Sequence, residues 1–127
     1  MRFVDTNVLI RFLTQDVTHL AAQATSWITE ATPNELIIEE AVLVELTFVL
    51  AIHKNYEMPR TVIAQGIRKL SSLSSISMSQ DAINAIEYYE KLSKLDFVDC
   101  LLLVKSGKHA HNLLTFDKDL LNSTKST

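Results

Sequence analysis

The sequence predicts an α/β fold, a parallel sheet with helices on both faces, and three observations carry that expectation. Short apolar runs alternate along the chain with longer segments of helical periodicity. Two glycines and two prolines in 127 residues are too few for the many tight turns of an all-β protein. With 47% hydrophobic and 21% charged residues, the chain reads as one ordinary globular domain over residues 1–127, large enough to bury a core.

Each element follows in order. Residues 2–4 read as a first strand, and Asn7 as the cap of a helix whose apolar face starts at Val8. A second helix, over about 18–31, places Leu20, Ala24, Trp27 and Ile28 at helical spacing, and Pro33 and Asn34 end it. Residues 35–38 form a short strand candidate, followed by a long helix over about 39–53. Pro59 suits the first turn of the next helix, which carries Val62, Ile63, Ile67 and Leu70 on one face. The serine-rich stretch 71–79 keeps Leu73, Ile76 and Met78 in alternation, so 74–77 reads as a strand rather than a linker. Helices over 80–92 and 97–105 and a last strand over 112–115 complete the chain. Strands joined by helical crossovers run parallel.

Composition excludes several classes of function. The single Cys100 rules out an intramolecular disulfide framework and reads as a small buried hydrophobe in a reducing setting. The sequence contains no apolar run long enough to span a membrane, and the first residues lack the pattern of a signal peptide, so a cytoplasmic location is expected. A net charge of -3 gives no global footprint for coating nucleic acid, though a local site is compatible with it.

The acids are placed unusually. In MRFVDTNVLIRFL, Asp5 interrupts a strand running into an apolar helix, where a carboxylate is expensive to desolvate. In AVLVELTFVLAI every residue but Glu45 and Thr47 is apolar, so the helix is expected to be largely buried and to take Glu45 inside with it. In KLDFVDCLLLVK, Asp96 and Asp99 lie three apart on one helical face near its N-terminus, as a capping pair or as paired ligands. Asp117, in LLTFDKDL, follows the last predicted strand as Asp5 follows the first, which puts both at one rim of the sheet, where α/β proteins bind ligands. Taken singly, Asp5 reads as a local turn or capping residue and Asp117 as a solvated loop residue. Together, four or five converging carboxylates would repel unless a cation sat among them, and an oxygen-only set suits Mg²⁺ or Mn²⁺ rather than zinc. His19, His53, His109 and His111 are spaced as surface histidines, not as a zinc site.

DTNVLIRFL, AVLVELTFVL and DFVDCLLLVKSGKHAHNLLTFDKDL, in that order, resemble the acidic motifs of the PIN domain, and the whole chain resembles the small VapC-type toxins of VapBC toxin–antitoxin systems. The resemblance implies a three-layer α/β/α sandwich around a parallel sheet of four to five strands. It also implies a Mg²⁺- or Mn²⁺-dependent endoribonuclease. By resemblance Asp5, Glu45, Asp99 and Asp117 are the catalytic, metal-binding acids, with Asp96 an occasional fifth ligand, and Thr6, Asn7 and Thr115 are polar neighbours that orient the acids or a water. The implied partners are RNA, a second copy of the chain and a small antitoxin. Arg11, one turn beyond Asn7, and Lys118, beside Asp117, are candidate RNA contacts; Arg11 reads equally as a snorkelling surface arginine. Members often carry another strand after the last acid, whereas only LLNSTKST follows here. A phosphotransferase of the haloacid-dehalogenase kind would have an aspartate where Asn7 stands, and a receiver domain would need an aspartate ending the middle strand, where SSISMS has none. The remaining alternative is a non-catalytic PIN-like module that keeps its acids for stability or partner binding.

Overall fold

A computed structural model gives the structure of the chain and describes residues 1–125. Three short strands, β1 (Arg2–Phe3), β2 (Leu36–Ile37) and β3 (Ile76–Ser77), pair in parallel in the order β1-β2-β3. Backbone hydrogen bonds carry the ladder one residue past the strands: Val4 N–H donates to the Ile37 carbonyl at 2.9 Å and Ile38 N–H to the Ser77 carbonyl at 3.0 Å. Each parallel pair is joined by two helices, because a parallel return needs a crossover. Helices α1 (Thr6–Thr14) and α2 (Thr18–Glu30) lead from β1 to β2, and α3 (Glu40–Ile52) and α4 (Arg60–Ser72) from β2 to β3. Then α5 (Gln80–Lys91), α6 (Phe97–Lys105), a 3₁₀ turn (Ala110–Asn112) and the short α7 (Lys118–Asn122) follow.

One contiguous core holds the layers together. Val4, Leu36, Ile38 and Ile76 from the sheet pack with Leu9, Leu46, Ile67, Ile86 and Phe97 from the helices, all buried. Helix boundaries follow local chemistry. Asn34, in the left-handed region at φ 59°, turns the chain after α2, and Ser79 caps α5 by accepting from the Ala82 N–H.

Three expectations need correction. The cap of the first helix is Asp5, which accepts from the Thr6 N–H at 2.8 Å; Asn7 is already inside the helix and exposed. Helix α3 is apolar nearly all round but not buried all round: Leu43, Leu46, Thr47 and Leu50 face the core, whereas Phe48 is 65% and Ile52 63% exposed, and Glu45 is exposed beside them. Apolar content alone does not tell a face covered by its own domain from one left open. The strand expected over 112–115 is absent among the described residues, so the sheet has three strands rather than four or five. Leu113 is buried, but Leu114 and Phe116 are fully exposed, and without a neighbour's ladder an extended segment stays unpaired. In place of a later strand, Lys125 makes an isolated bridge with His109.

A polar knot fastens the end of α1. The Arg11 guanidinium donates to both Asp16 oxygens and to the Tyr56 hydroxyl, and that hydroxyl donates to Asp16 at 2.7 Å. The Tyr56 hydrogen bond leads in holding the Asp16 carboxyl down to about 2, with Thr14 and Arg11 helping. A folded-state pKa below the unfolded one stabilises the fold above the ordinary carboxylate value and loses that contribution as pH falls toward about 2. Asp16→Asn should therefore lower stability at pH 7 by less than about 1 kcal/mol, since the pair is partly solvated, and the difference from wild type should vanish in melts at the acid end.

Candidate active site

Helix N-termini position four of the five predicted acids. Asp5 caps α1. Asp96 and Asp99 form a reciprocal capping box on α6, with the Asp99 N–H donating to Asp96 Oδ1 at 2.9 Å and the Asp96 N–H to Asp99 Oδ2 at 3.2 Å. Asp117 caps α7, accepting from the N–H groups of Asp119 and Leu120, and its own N–H donates to Thr115 Oγ1 at 3.0 Å. The helix dipoles favour the anions there. Each cap engages one oxygen of its carboxylate.

Ion pairing divides the acids of the chain. Asp16, Glu35, Glu40, Asp81, Glu87, Glu90 and Asp119 each lie 2.7–3.9 Å from a Lys or Arg nitrogen. Among the described residues, Asp5, Glu45, Asp96, Asp99 and Asp117 form no ion pair, and neither do Glu30, Glu39 and Glu57. They are carboxylates without a protein cation.

Asp96 and Asp99 share the first turn of α6, and Asp117 is near enough for its charge to act on Asp99. Burial pushes the Asp99 carboxyl above its ordinary range, and the neighbouring Asp96 and Asp117 charges add to the shift against the Asp96 N–H that Asp99 accepts. Glu45 joins from α3, lining with Asp96 a cavity of about 350 Å³ whose walls include Phe48, Ile52, Tyr89 and Val98. Asp5 opens instead on a separate groove beside β1. Beside it in sequence, Thr6 is 3% exposed, and its Oγ1 is buried without a hydrogen-bond partner among the described residues. Arg11 is committed to Asp16 and Tyr56, and Lys118 is exposed beside Asp117. Cys100 is fully buried, its thiol pushed up to about 12 by desolvation, so it is inert packing as expected.

Arg60 is the residue that sequence reasoning missed. It lines the cavity with Glu45 and Asp96, donates to the Tyr89 and Leu92 carbonyls at the end of α5, and lies 4.3 Å from the Tyr89 ring centroid. The signal was present: a cation in the first turn of a helix opposes the dipole and needs another partner.

The PIN domain family model matches residues 2–125. The chain is a PIN domain. No curated protein and no solved structure matches it. PIN domains are generally nucleases that typically use divalent metals, and this PIN domain is of that nuclease type. Its donor set fits a hard cation, being oxygen throughout, with unpaired carboxylates and an orphaned buried hydroxyl at Thr6. Among the described residues, no group of three or more His, Cys, Asp or Glu is placed to hold a metal ion. No helix among them is long and apolar enough to cross a membrane.

Exposure of Glu45 sets what its substitution should do to stability. A buried Glu45 would repel its neighbours in the metal-free protein, so Glu45→Gln would leave it as stable or raise its melting temperature. For an exposed glutamate, metal-free melts of wild type and Glu45→Gln should agree within about 0.5 kcal/mol. Only their response to Mn²⁺ should differ, the variant gaining less.

Proposed function

We propose that this PIN domain is a Mg²⁺- or Mn²⁺-dependent endoribonuclease acting as the VapC-type toxin of a toxin–antitoxin pair. The observation that carries the reading is the Asp96–Asp99 pair at the N-terminus of α6, without a protein cation and with the Asp117 charge acting on Asp99. Asp99, Asp117 and Asp96 would hold the cation, with Asp5 and Glu45 completing the set. When bound, the cation would lower the pKa of a water and neutralise charge on the leaving oxygen. The caps hold each carboxylate by one oxygen, Thr115 fixes the turn that presents Asp117, and the Thr6 hydroxyl is free to orient a water or a carboxylate. Lys118, and the part of Arg11 not bound to Asp16 and Tyr56, would contact RNA phosphates.

Incubating the purified protein with mixed RNAs, with EDTA or with Mn²⁺, tests the reading. Metal-dependent internal cleavage that is lost in Asp5→Asn supports it, and full activity in that variant sinks the site assignment. A second reading, a non-catalytic module, is favoured by the commitment of four acids to helix caps; it predicts no cleavage under either condition.

The exposed face of α3, with Phe48, Ile52 and neighbouring Val98, supports a homodimer, and the apolar surface remaining beyond it a groove for a small antitoxin. Light scattering should show a dimer that Phe48→Glu converts to monomer, and co-expression of the cognate antitoxin should relieve growth inhibition in a bacterial host. A strict monomer that is harmless when over-expressed would count against the toxin reading. Soluble action in the cytoplasm follows from the same proposal.

A further inference from the structure

A cavity of opposite charge lies at the other end of α6 from Asp96 and Asp99, about 13 Å away along the nine residues of the helix. It encloses about 400 Å³, and Asn84 and Tyr88 of α5 line it together with Gly107, Lys108 and Lys125. Lys91, Lys94 and Lys105 are held by carboxylates and Lys69 lies over the Phe12 ring, whereas Lys108 and Lys125 meet no carboxylate among the described residues. Backbone geometry places both. Gly107 and Lys108 lie in the left-handed region at φ 66° and 62°, a conformation that costs a lysine energy and that the fold nonetheless imposes after α6. The Lys125 N–H donates to the Lys108 carbonyl at 2.6 Å, which ties the end of the chain to the same turn. The Lys108 ammonium lies 5.0 Å from the Tyr88 ring centroid. Nothing in the wall neutralises the two lysines: the Leu102, Leu103 and Val104 carbonyls accept from the N–H groups of Ser106, Lys108 and Gly107, and Glu87 is bound to Lys91 at 2.7 Å. The dipole of α6 favours one cation at its C-terminus, which accounts for Lys108 but not for Lys125 arriving from the end of the chain.

We propose that this cavity binds a dianionic phosphate group, carried by free phosphate or by the end of an RNA strand. Two ammoniums match the charge of a terminal phosphate, and lysine binds phosphate as a point charge. Asn84 adds a neutral donor: its Oδ1 accepts from Gln80 at 2.9 Å, which leaves the Nδ2 hydrogens for another oxygen. The one aromatic ring in the wall, Tyr88, is taken up by Lys108, so recognition falls on the phosphate rather than on a base. The volume is within the roughly 300–1,000 Å³ of small-ligand sites and leaves room for the sugar that carries the phosphate. Carboxylates at one end of α6 suit a cation and lysines at the other suit an anion, so the two sites bind different ligands. The inference does not depend on the ribonuclease reading.

Nuclear magnetic resonance titration of the isotope-labelled protein with inorganic phosphate tests the site, in EDTA so that no metal at the acids recruits the anion, and with chloride holding ionic strength constant. The backbone amide signals of Gly107, Lys108 and Lys125 and the side-chain amide of Asn84 should shift together and saturate. Lys108→Gln and Lys125→Gln should each weaken binding about 10-fold or more, the worth of one charge-assisted hydrogen bond, while substitution of the exposed Lys54 by glutamine leaves it unchanged. Two short oligoribonucleotides that differ only in a terminal phosphate separate the sources: tighter binding of the phosphorylated strand, displaced by inorganic phosphate, assigns the cavity to an RNA end, and equal binding assigns it to free phosphate. Shifts that never saturate, that spread over the exposed lysines in general, or that persist undiminished in Lys108→Gln and Lys125→Gln overturn the proposal. Absence of RNA cleavage by the wild type removes the ribonuclease reading and leaves a saturable phosphate site standing.

Discussion

Asp99→Asn is expected to lower Mn²⁺-dependent RNA cleavage by more than about 100-fold, since even partners outside the coordination shell are worth about 10- to 100-fold. The same substitution should raise the melting temperature of the metal-free protein. The sign follows from the direction of the Asp99 shift: burial, aided by Asp96 and Asp117, raises its carboxyl in the folded state. A raised folded-state pKa contributes stability below the unfolded carboxylate value and loses it as pH rises through the folded value, so at neutral pH the ionised Asp99 works against the fold. Asparagine drops that charge and keeps a carbonyl oxygen to accept the Asp96 N–H of the capping box. With excess Mn²⁺ the order should reverse, because a cation that binds only the folded state stabilises it by mass action and the variant binds it less well. Thermal melts with EDTA and with Mn²⁺ check both halves. Equal metal response in the two proteins would remove Asp99 from the site.

Phe97→Ala should be the most destabilising single change near the site, by about 3–5 kcal/mol of a total stability near 5–15 kcal/mol. Phe97 is 1% exposed and meets the buried Tyr89 ring edge-on, with centroids 5.8 Å apart. Tyr89 in turn lies under the Arg60 guanidinium. Truncation leaves a cavity that the surrounding helices cannot close, and it loosens the first turn of α6, where Asp96 and Asp99 are held. Urea titration should show a lower midpoint with an unchanged slope. A loss below about 1 kcal/mol would mean that α6 is not anchored through this ring. Phe48→Ala, on the open side of the neighbouring α3, supplies the contrast: the isolated chain should lose at most about 0.5 kcal/mol.

Local physics explains what the sequence disclosed. Helical periodicity placed α2, α3, α5 and α6 within a residue or two at each end, and α4 at its start, because amphipathic spacing and breakers such as Pro33 and Pro59 act within a few positions. The acids were legible for a related reason: each breaks an apolar run, and four of them sit where helix N-termini satisfy an anion. The PIN family follows from the order of these motifs, and the family model confirms it over residues 2–125.

Tertiary structure alone decided the remainder. Whether Glu45 is inside depends on what covers the second face of α3, and among the described residues nothing covers Phe48, Ile52 and Glu45, which share an open surface. Whether residues 112–115 form a strand depends on a partner ladder, which no local pattern supplies, and the exposed Leu114 and Phe116 lack one. The nearness of Asp117 to Asp99, the arrival of Arg60 from α4 beside Glu45 and Asp96, and the meeting of Trp27 with Phe3 beside Asp5 join residues that are distant along the chain. Periodicity fixes which face of each element is apolar; packing of one element on another decides which faces are closed and which side chains meet, since those contacts are made only when the whole chain has folded.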